Sequence, residues 1–539
     1  MKTKIISILL LSLLMSGCSE DFLETRSTQD IDESLVFTDT KNAMLAINGL
    51  HKLMWTQDLS GTAPRGGFEM IMIWMDMLGE DLVYTYSNAQ YQSEAKWVTH
   101  RNYSGSGHLL HFFRLLYYFV SNANMVMDNI DNATGPDNEK SNIKGQALFY
   151  RAFGYFYLVQ LWAERYHEGG NNTQLGVVMR SDGDMGHKAR STVEEVYAKV
   201  NDDLDEAIRL LAETTVERPN KSHIHVHIAR GLKARVLLAQ SRWAEAADMA
   251  KLVVDQSGAK LQDDTYITTQ DRFSDASNTE WLWGSNKVAE QIATLRSFHE
   301  YMSNNFRSYN GNTPRAIYNL LYDKISPTDV RKGVWFPRAA DKSTWATARP
   351  QYSIGGNARV ANYMANKYLL ADPNATFGNV PFMRLPEMML IQAEGYARAG
   401  ENSKAAQALY PLAKRRDPAY TLSTKTGQAL IDEIMVQRRV ELWGEGFRFL
   451  DLKRLNMPLD RGPAPRDGYN KGWWPTIAGS GTATFVLTNW DPEASNFNMY
   501  GDGTVIGEAA RYREAGHVEW QFKFHQDVID SNPLCEQNP

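Results

Sequence analysis

Residues 393–416 read AEGYARAGENSKAAQALYPLAKRR, and this stretch indicates the class of fold. Its apolar residues recur at spacings of three and four, the period of one face of an α-helix, and Gly400 marks a break in the middle. An aromatic helix with small residues, a tight turn and an alanine-rich return helix form the pattern of a tetratricopeptide repeat. The stretch therefore predicts two adjoining helices, one over residues 385–399 and the other over residues 403–415.

The same helical spacing recurs along most of the chain. Residues 228–239 and 243–254 predict a second helix pair of the same form, separated by a short break. Helix pairs of this kind cannot bury their apolar faces alone and must stack on neighbouring pairs. We therefore predict a mostly α-helical fold in which three or four degenerate tetratricopeptide-like repeats form a curved scaffold. Further helices are predicted over residues 113–130, 143–162 and 192–211.

Three long stretches interrupt the helical pattern. Residues 65–107, 278–382 and 460–525 are rich in Gly, Asn, Ser, Tyr and Trp. Loops of this length in a compact fold usually carry function or pack as a subdomain of their own. We predict long irregular loop insertions within a single domain that spans residues 18–539.

Residues 1–17 predict a lipoprotein signal peptide. Two lysines precede the apolar run 5–15, which is too short to span a bilayer as a permanent helix. The run ends in LMSGC at 14–18, where small residues before a cysteine resemble a bacterial lipobox, although Met15 stands where leucine is most frequent. We therefore predict that Cys18 is lipidated and that this lipid is the membrane anchor.

Composition limits the kinds of partner. The 539 residues are 43% hydrophobic, which is ample for a large core. The net charge of -6 is mild for so long a chain, whereas phosphate binding needs a dense basic surface. The sequence offers no phosphate-binding loop, dinucleotide fingerprint or nucleophile elbow in a suitable context. We predict no nucleic-acid partner and no cofactor, and we assign no metal-ligating residue.

Several segments taken together resemble the SusD/RagB family. They occur in the family's order along the mature chain, although the turn after Trp162 and the segment before the C-terminal motif depart from the usual pattern. The segments are AMLAINGLHKLMW (43–55), LLYYFVSNANMVMDNI (115–130), GQALFYRAFGYFYLVQLW (145–162), RSTVEEVYAKVNDDLDEAIRLL (190–211), FMRLPEMMLIQAEGYARAG (382–400), RRVELWGEGFRFLDLKR (438–454) and NPLCEQNP (532–539).

The resemblance implies a SusD-like helical fold and a role in nutrient uptake. Family members are outer-membrane lipoproteins that associate, like a lid, with a SusC-like TonB-dependent transporter. Their ligands are usually glycans. Glu20, Asp21 and Glu24 follow Cys18 and resemble the family's surface-export signal, which implies that the protein faces the cell exterior. The leading hypothesis is a non-enzymatic protein that captures oligosaccharide or polysaccharide and delivers it to the transporter.

Three alternatives remain open. One is capture of peptides by the same architecture, as in the RagB branch. Another is a surface glycoside hydrolase, and the last is a scaffold that binds protein alone. A hydrolase needs two convergent carboxylates, and Glu441 and Glu445 lie one turn apart on a helix predicted over 438–452. Because arginines stand three and four residues from these glutamates, we predict structural ion pairs and no catalytic residue. These arginines are Arg438, Arg439 and Arg448.

His223, His225 and His227 alternate along the chain, which on a strand would place three imidazoles on one face for zinc. The segment, however, runs directly into a predicted helix, where only His223 and His227 share a face. Neither an acidic residue nor a cysteine lies close by in the sequence. We interpret all three as helix-entry or surface histidines.

We predict that the ligand site is aromatic and carried by the insertions. Flat rings stack on the apolar faces of sugars, while Asp81 and the asparagines supply hydrogen bonds to hydroxyls. Affinity should lie in the micromolar to millimolar range. These choices rest on composition, and local packing is the alternative role for each residue. The candidates are Asp81, Tyr84, Tyr86, Tyr91, Tyr309, Asn310, Asn312 and Trp345.

Overall fold

A computed structural model of the chain was obtained. It describes residues 36–55, 66–84, 92–180, 186–262, 273–288, 297–303, 314–336, 363–370, 378–461 and 512–539. Helices dominate these ranges and the strands are short, which confirms the predicted fold class. The signal peptide and Cys18 lie outside the described residues. Within the described ranges, no helix combines the length and hydropathy needed to cross a bilayer.

The helices of the described ranges are numbered in chain order. The first eight are α1 (Thr40–Leu53), α2 (Phe68–Met77), α3 (Gln92–Ala95), α4 (Gly107–Asn129), α5 (Asp137–Trp162), α6 (Val193–Glu213), α7 (Val226–Ala239) and α8 (Trp243–Gln256). The remainder are α9 (Phe298–Met302), α10 (Asn319–Tyr322), α11 (Leu385–Arg398), α12 (Asn402–Arg416), α13 (Gly427–Glu441), α14 (Arg448–Arg454) and α15 (Gln526–Ser531).

The strands of the described ranges form three two-stranded antiparallel sheets, with β1 on β3, β2 on β4 and β5 on β6. The strands are β1 (Leu82–Tyr84), β2 (Trp281–Gly284), β3 (Arg315–Ile317), β4 (Pro381–Arg384), β5 (Leu459–Asp460) and β6 (Tyr512–Arg513).

The long helices stack in chain order. Helix α4 packs on α5, α5 on α6, α6 on α7 and α7 on α8. The stack then resumes after a long insertion, because α8 packs on α11, and α11 packs on both α12 and α13. Contact between successive helices is the architecture of a solenoid. The predicted pairs are confirmed as α7 with α8 and α11 with α12.

Helix α5 is the centre of the core. Every residue from Ile143 to Trp162 except Lys144 is buried, and a helix that is apolar on all sides needs neighbours all around it. Gly154 allows α4 to approach closely, since a Cβ at this position would lie 2.7 Å from the carbonyl oxygen of Leu116. Arg151 of the same helix contacts α6, since its Nη2 lies 2.7 Å from Asp203 Oδ1. The aromatic helix thereby fixes both of its neighbours.

The prediction of an irregular insertion over 65–107 is wrong for part of that stretch. Residues 68–77 form α2, and all ten of them are buried. Eight of the ten residues of FEMIMIWMDM are apolar, and its two acidic residues, Glu69 and Asp76, are themselves buried, so the segment lacks the solvent-exposed face of an amphipathic helix. Its Gly- and Asn-rich flanks dominate the composition of the longer stretch and conceal the helix.

Candidate ligand-binding site

The second insertion begins and ends at one strand pair. Strand β2 lies near the start of the predicted stretch 278–382 and β4 at its end, and the two pair with Trp281 opposite Arg384 and Gly284 opposite Pro381. All residues of both strands are buried. The insertion therefore leaves the helical scaffold and returns to it at a single buried base.

The first and second insertions meet in the sheet formed by β1 and β3. Leu82 lies opposite Ile317, and Tyr84 lies opposite Arg315. Because the strands are antiparallel, the C-terminal end of β1 lies beside the N-terminal end of β3. The chain that follows β1 and the chain that precedes β3 are therefore attached at the same end of the sheet. The structure therefore brings together the roots of two candidate segments, one containing Tyr86 and Tyr91 and the other Tyr309, Asn310 and Asn312.

The segment that contains Trp345 has its root at the other end of this sheet. The Phe336 amide donates to Met364 O at 2.8 Å, and the Tyr363 amide donates to Phe336 O at 2.9 Å. The Ile317 amide donates in turn to Tyr363 O at 3.0 Å. Residues 337–362 therefore begin and end beside Ile317, away from the end marked by Tyr84 and Arg315.

The candidate side chains themselves fall almost entirely outside the described residues. Residues Tyr86, Tyr91, Tyr309, Asn310, Asn312 and Trp345 lie outside them, and of Tyr84 only the backbone is described. Asp81 is the exception. It is 4% exposed, and both of its carboxylate oxygens accept from Arg439 Nε, at 3.1 and 2.9 Å. Its carboxylate is engaged by the protein, so the prediction that Asp81 hydrogen-bonds to a ligand does not fit this position.

The loop 442–447, here called the hub, holds both insertions on the scaffold. It contains Gly444 and Gly446, both with positive φ, of 79° and 85°. The predicted helix 438–452 is therefore wrong as one element, since α13 ends at Glu441 and α14 begins at Arg448. Positive φ is the left-handed region that favours glycine and ends helices.

Each hub glycine packs against a different insertion. A Cβ on Gly444 would lie 2.8 Å from Tyr368 Cε2 of the second insertion. A Cβ on Gly446 would lie 2.7 Å from Met72 Cα in α2, within the first insertion. The two insertions therefore approach the hub more closely than any other residue type would permit.

Arg384 is the centre of a buried charge cluster beside the hub. It is 0% exposed, and its Nη1 lies 3.0 Å from Glu280 Oε2 and 3.1 Å from Glu441 Oε1. Its Nη2 lies 2.6 Å from Glu445 Oε1. Arg416 Nη2 of α12 also contacts Glu280 Oε1 at 2.7 Å and Glu441 Oε1 at 3.1 Å. The cluster joins the base of the second insertion to the last helices of the scaffold.

Two further cations of this cluster come from within the second insertion. Lys367 Nζ donates to Glu441 O at 2.9 Å, to Trp443 O at 2.8 Å and to Glu445 Oε1 at 2.6 Å. Arg331 Nη1 lies 3.2 Å from Glu441 Oε2. Their partners stand 74 to 110 residues away in the sequence, so sequence reasoning gives no signal that Lys367 and Arg331 belong here.

The first insertion is held by a second set of buried polar contacts. Arg448 Nε donates to Glu80 Oε1 at 2.9 Å, and the indole Nε1 of Trp443 donates to Asp81 O at 2.8 Å. Asp76 of α2 accepts from the amides of Gly446 at 2.8 Å and Arg448 at 3.0 Å, which caps the N-terminus of α14. The hub and the first residue of α14 thus bind the first insertion through a cap, an indole and an ion pair.

Glu441 and Glu445 are buried structural anions. Burial alone would raise the pKa of Glu441, but Arg416, Arg384 and Arg331 outweigh burial and hold this pKa well below its usual range. Burial is likewise outweighed at Glu445, whose pKa is lowered by Arg384 and Lys367. A glycosidase acid needs a raised pKa, so neither carboxyl fits that role. The predicted ion pairs are present, although the partners are these cations rather than Arg438, Arg439 and Arg448.

We expect the free energy of unfolding to fall steeply when the solution is acidified below pH about 4.5. The pKa of Glu441 and Glu445 is lowered, and the pKa of Asp451 falls to about 2 because Arg438 and Arg454 outweigh its burial. The unfolded state therefore binds more protons than the folded state between pH about 4.5 and about 2, and stability falls with pH in that window. Denaturant titrations across the window measure this loss. A Glu441→Gln variant should show a shallower pH dependence, and an equal slope would contradict the assignment.

The alternating histidines form no metal site. His225 precedes α7 and His227 lies in its first turn, while the ring centroids of His51 and His223 are 4.4 Å apart. In the part of the chain that the structure describes, no group of three His, Cys, Asp or Glu side chains is placed to hold a metal ion. His225 and His227 therefore lie at the helix entry, as interpreted from the sequence, whereas His223 packs against His51.

The fold and the hub define a tetratricopeptide-like scaffold protein with two insertions that pair with each other through β1 and β3. Residues 253–539 match the family pattern described as the SusD family, and residues 69–238 match the one described as starch-binding and associating with the outer membrane. The chain belongs to the SusD family.

Known relatives agree with this assignment. The chain is 22% identical over 487 residues to SusD-like protein P2 of Formosa agariphila, a match that covers 85% of this chain and 91% of that protein. The crystal structure of a putative sugar binding protein from Bacteroides vulgatus has a TM-score of 0.70 at 22% identity, with 94% of this chain and 99% of that chain covered.

A further solved structure was determined with a ligand. Surface glycan-binding protein A from Bacteroides thetaiotaomicron, in complex with laminarihexaose, has a TM-score of 0.65 at 16% identity. The match covers 92% of this chain and 99% of that chain. At this level of identity the likeness demonstrates a shared fold.

Proposed function

We propose that this protein is a cell-surface glycan-binding lipoprotein. It captures an oligosaccharide or polysaccharide without cleaving it and delivers it to a SusC-like TonB-dependent transporter. A lipid on Cys18 anchors it to the outer membrane, facing the cell exterior. Neither nucleic acid nor a cofactor takes part. Membership of the SusD family supports this role, as does the fold shared with a surface glycan-binding protein that holds laminarihexaose.

The observation that carries the proposal for the site is the pairing of β1 with β3. Tyr84 lies opposite Arg315, so two aromatic and asparagine-rich segments are rooted at one end of one sheet. We assign the primary glycan site to these segments, with Tyr84, Tyr86 and Tyr91 on one side. Tyr309, Asn310 and Asn312 lie on the other side. Trp345 stands on a segment rooted at the opposite end, and we propose it as a second platform.

The hub helps to fix the chain at the roots of the proposed glycan site. Loops lose conformational entropy when they bind, and a loop whose roots are already fixed loses less. Buried contacts hold the chain on both sides of the β1–β3 sheet. Trp443 Nε1 donates to Asp81 O at 2.8 Å, and Lys367 Nζ donates to Trp443 O at 2.8 Å. The scaffold therefore holds the roots of the candidate segments in place, which lowers the entropic cost of binding a polymer.

Binding to a polysaccharide panel tests the proposal. We expect the chain from Ser19 onward, which contains every described residue, to be retarded in gels that contain one class of plant, fungal or host polysaccharide. A Tyr309→Ala variant should lose about fivefold in affinity, because the apolar surface that a ring and a sugar face remove from water contributes about 1 kcal/mol. Tyr410→Ala, a tyrosine of scaffold helix α12, is the matched control.

The outcomes of the panel are distinct. Retardation without release of reducing ends supports glycan capture. Release of reducing ends would overturn the non-enzymatic role, and absence of retardation by every polymer would contradict glycan binding and favour a peptide ligand.

A further inference from the structure

A groove of about 650 Å³ lies on the scaffold, outside both insertions. One wall is the solvent-facing side of α4, the second is the segment 178–180, and the third is α15 near the C-terminus. Small-molecule sites in proteins typically have volumes of about 300–1,000 Å³, so the groove is large enough for a short oligomer. Neither β1 nor β3 contributes to its lining.

Hydrogen bonds fix two of the walls to each other, and an exposed ion pair lies between the first wall and the third. Tyr117 on α4 donates its hydroxyl to Val178 O at 2.7 Å, and Asn124 Nδ2 donates to Arg180 O at 2.6 Å. Arg114 Nη2 of α4 lies 3.7 Å from Asp527 Oδ2 of α15. The two hydrogen bonds hold α4 against segment 178–180, and α15 lies beside them to complete the groove.

The chemistry of the lining suits a neutral sugar. Two of its walls are helices, whose backbone groups are already paired, so a ligand must find its hydrogen bonds among side chains. Tyr118 lines the groove with 52% of its surface exposed, and Asn122 stands one turn further along α4. Further along the same face, Asp128 and Asn129 also line the groove.

Charge and shape narrow the class of ligand. Arg114 and Arg180 are balanced by Asp128 and Asp527 among the lining residues, so the groove selects neither anions nor cations. An exposed ring provides a flat apolar surface, and amide and carboxylate groups provide both donors and acceptors. A pyranose has this combination of an apolar face and a rim of hydroxyls, whereas a peptide strand would need free backbone partners that helical walls lack.

We propose that this groove is a second glycan-binding site, in which a short neutral stretch of the polysaccharide lies along α4 against Tyr118. The proposal rests on the proposed function, because it assigns a further contact to the same polymer. A polysaccharide long enough to occupy both sites would be retained much more strongly than a short oligomer. Binding at one site raises the effective concentration of the polymer at the other.

Calorimetry of the chain from Ser19 onward tests the groove. The probes are laminarihexaose, cellohexaose, xylohexaose and maltohexaose, together with the corresponding polymers in affinity gels. The test variant is Tyr118→Ala with Asn122→Ala. Tyr512→Ala is the control, since Tyr512 is 49% exposed and does not line the groove. Unchanged thermal unfolding would establish that the variants are folded.

The results separate the groove from the primary site. We expect the groove variant to bind one equivalent of the hexasaccharide fewer than the parent chain and the control, and to lose at least threefold in polymer retention. Equal stoichiometry and retention in parent and variant would overturn the groove but leave glycan capture intact. If the parent chain binds none of the probes or polymers, the groove proposal and the proposed function both fail.

Discussion

Replacing Arg384 with methionine is expected to lower the free energy of unfolding by about 3–5 kcal/mol. The side chain is 0% exposed and pairs with Glu280, Glu441 and Glu445. Removing it deprives three buried carboxylates of a cation that contacts all of them, and a buried charge that loses a partner is far more costly than the pair itself. Equilibrium unfolding in urea or guanidinium chloride measures the change.

The control for Arg384→Met is a surface ion pair. Arg209 on α6 contacts Glu206 at 2.7 Å and Glu213 at 2.8 Å, but it is solvent-exposed. Exposed pairs contribute little to stability, so Arg209→Met should leave the unfolding midpoint unchanged. Similar losses in the two variants would mean that the buried cluster does not hold the second insertion on the scaffold.

Replacing Gly446 with alanine is expected to lower the free energy of unfolding by about 3 kcal/mol. The φ angle of +85° is strained for an L-residue, and the new Cβ would stand 2.7 Å from Met72 Cα. Because that neighbour is backbone, either α2 or the hub must move. We therefore expect the first insertion to loosen, which proteolysis of residues 66–84 would detect.

Gly400 is a matched control for this substitution. Its φ angle is +84°, and nothing lies within 4 Å of a Cβ placed there. Gly400→Ala therefore carries the backbone strain without the collision and should cost about 1 kcal/mol. The difference between the two variants measures the close approach of α2 to the hub. Equal costs would contradict that close approach.

The helical scaffold was predictable because its information is local. The three-to-four spacing and Gly400 predict the pair over residues 385–415, and the structure places α11 and α12 at Leu385–Arg398 and Asn402–Arg416. The order of motifs was sufficient to indicate the family. Helix α2 was missed because it is short, mostly apolar and buried on all sides, so neither amphipathic spacing nor average composition reveals it.

The hub and the charge cluster beside it were not predictable, because both are built from contacts between distant residues. Glu441 is surrounded by arginines in sequence, yet its partners are Arg384, Arg416 and Arg331, up to 110 residues away. Gly444 and Gly446 interrupt the helix that the spacing of 438–452 predicts. They lie where the two insertions pack closely against the hub. Asp81 illustrates the same point. An acidic residue near tyrosines in the sequence suggests a ligand-binding group, but in the structure its carboxylate pairs with Arg439.

Hydrogen–deuterium exchange with and without the retained glycan tests the central claim most directly. We expect the glycan to slow exchange in peptides covering residues 85–91 and 304–313, the segments rooted at one end of the β1–β3 sheet, with little change in α11, α12 and α13. Protection confined to other parts of the chain, or binding without protection of these two segments, would contradict a glycan site built from the two insertions.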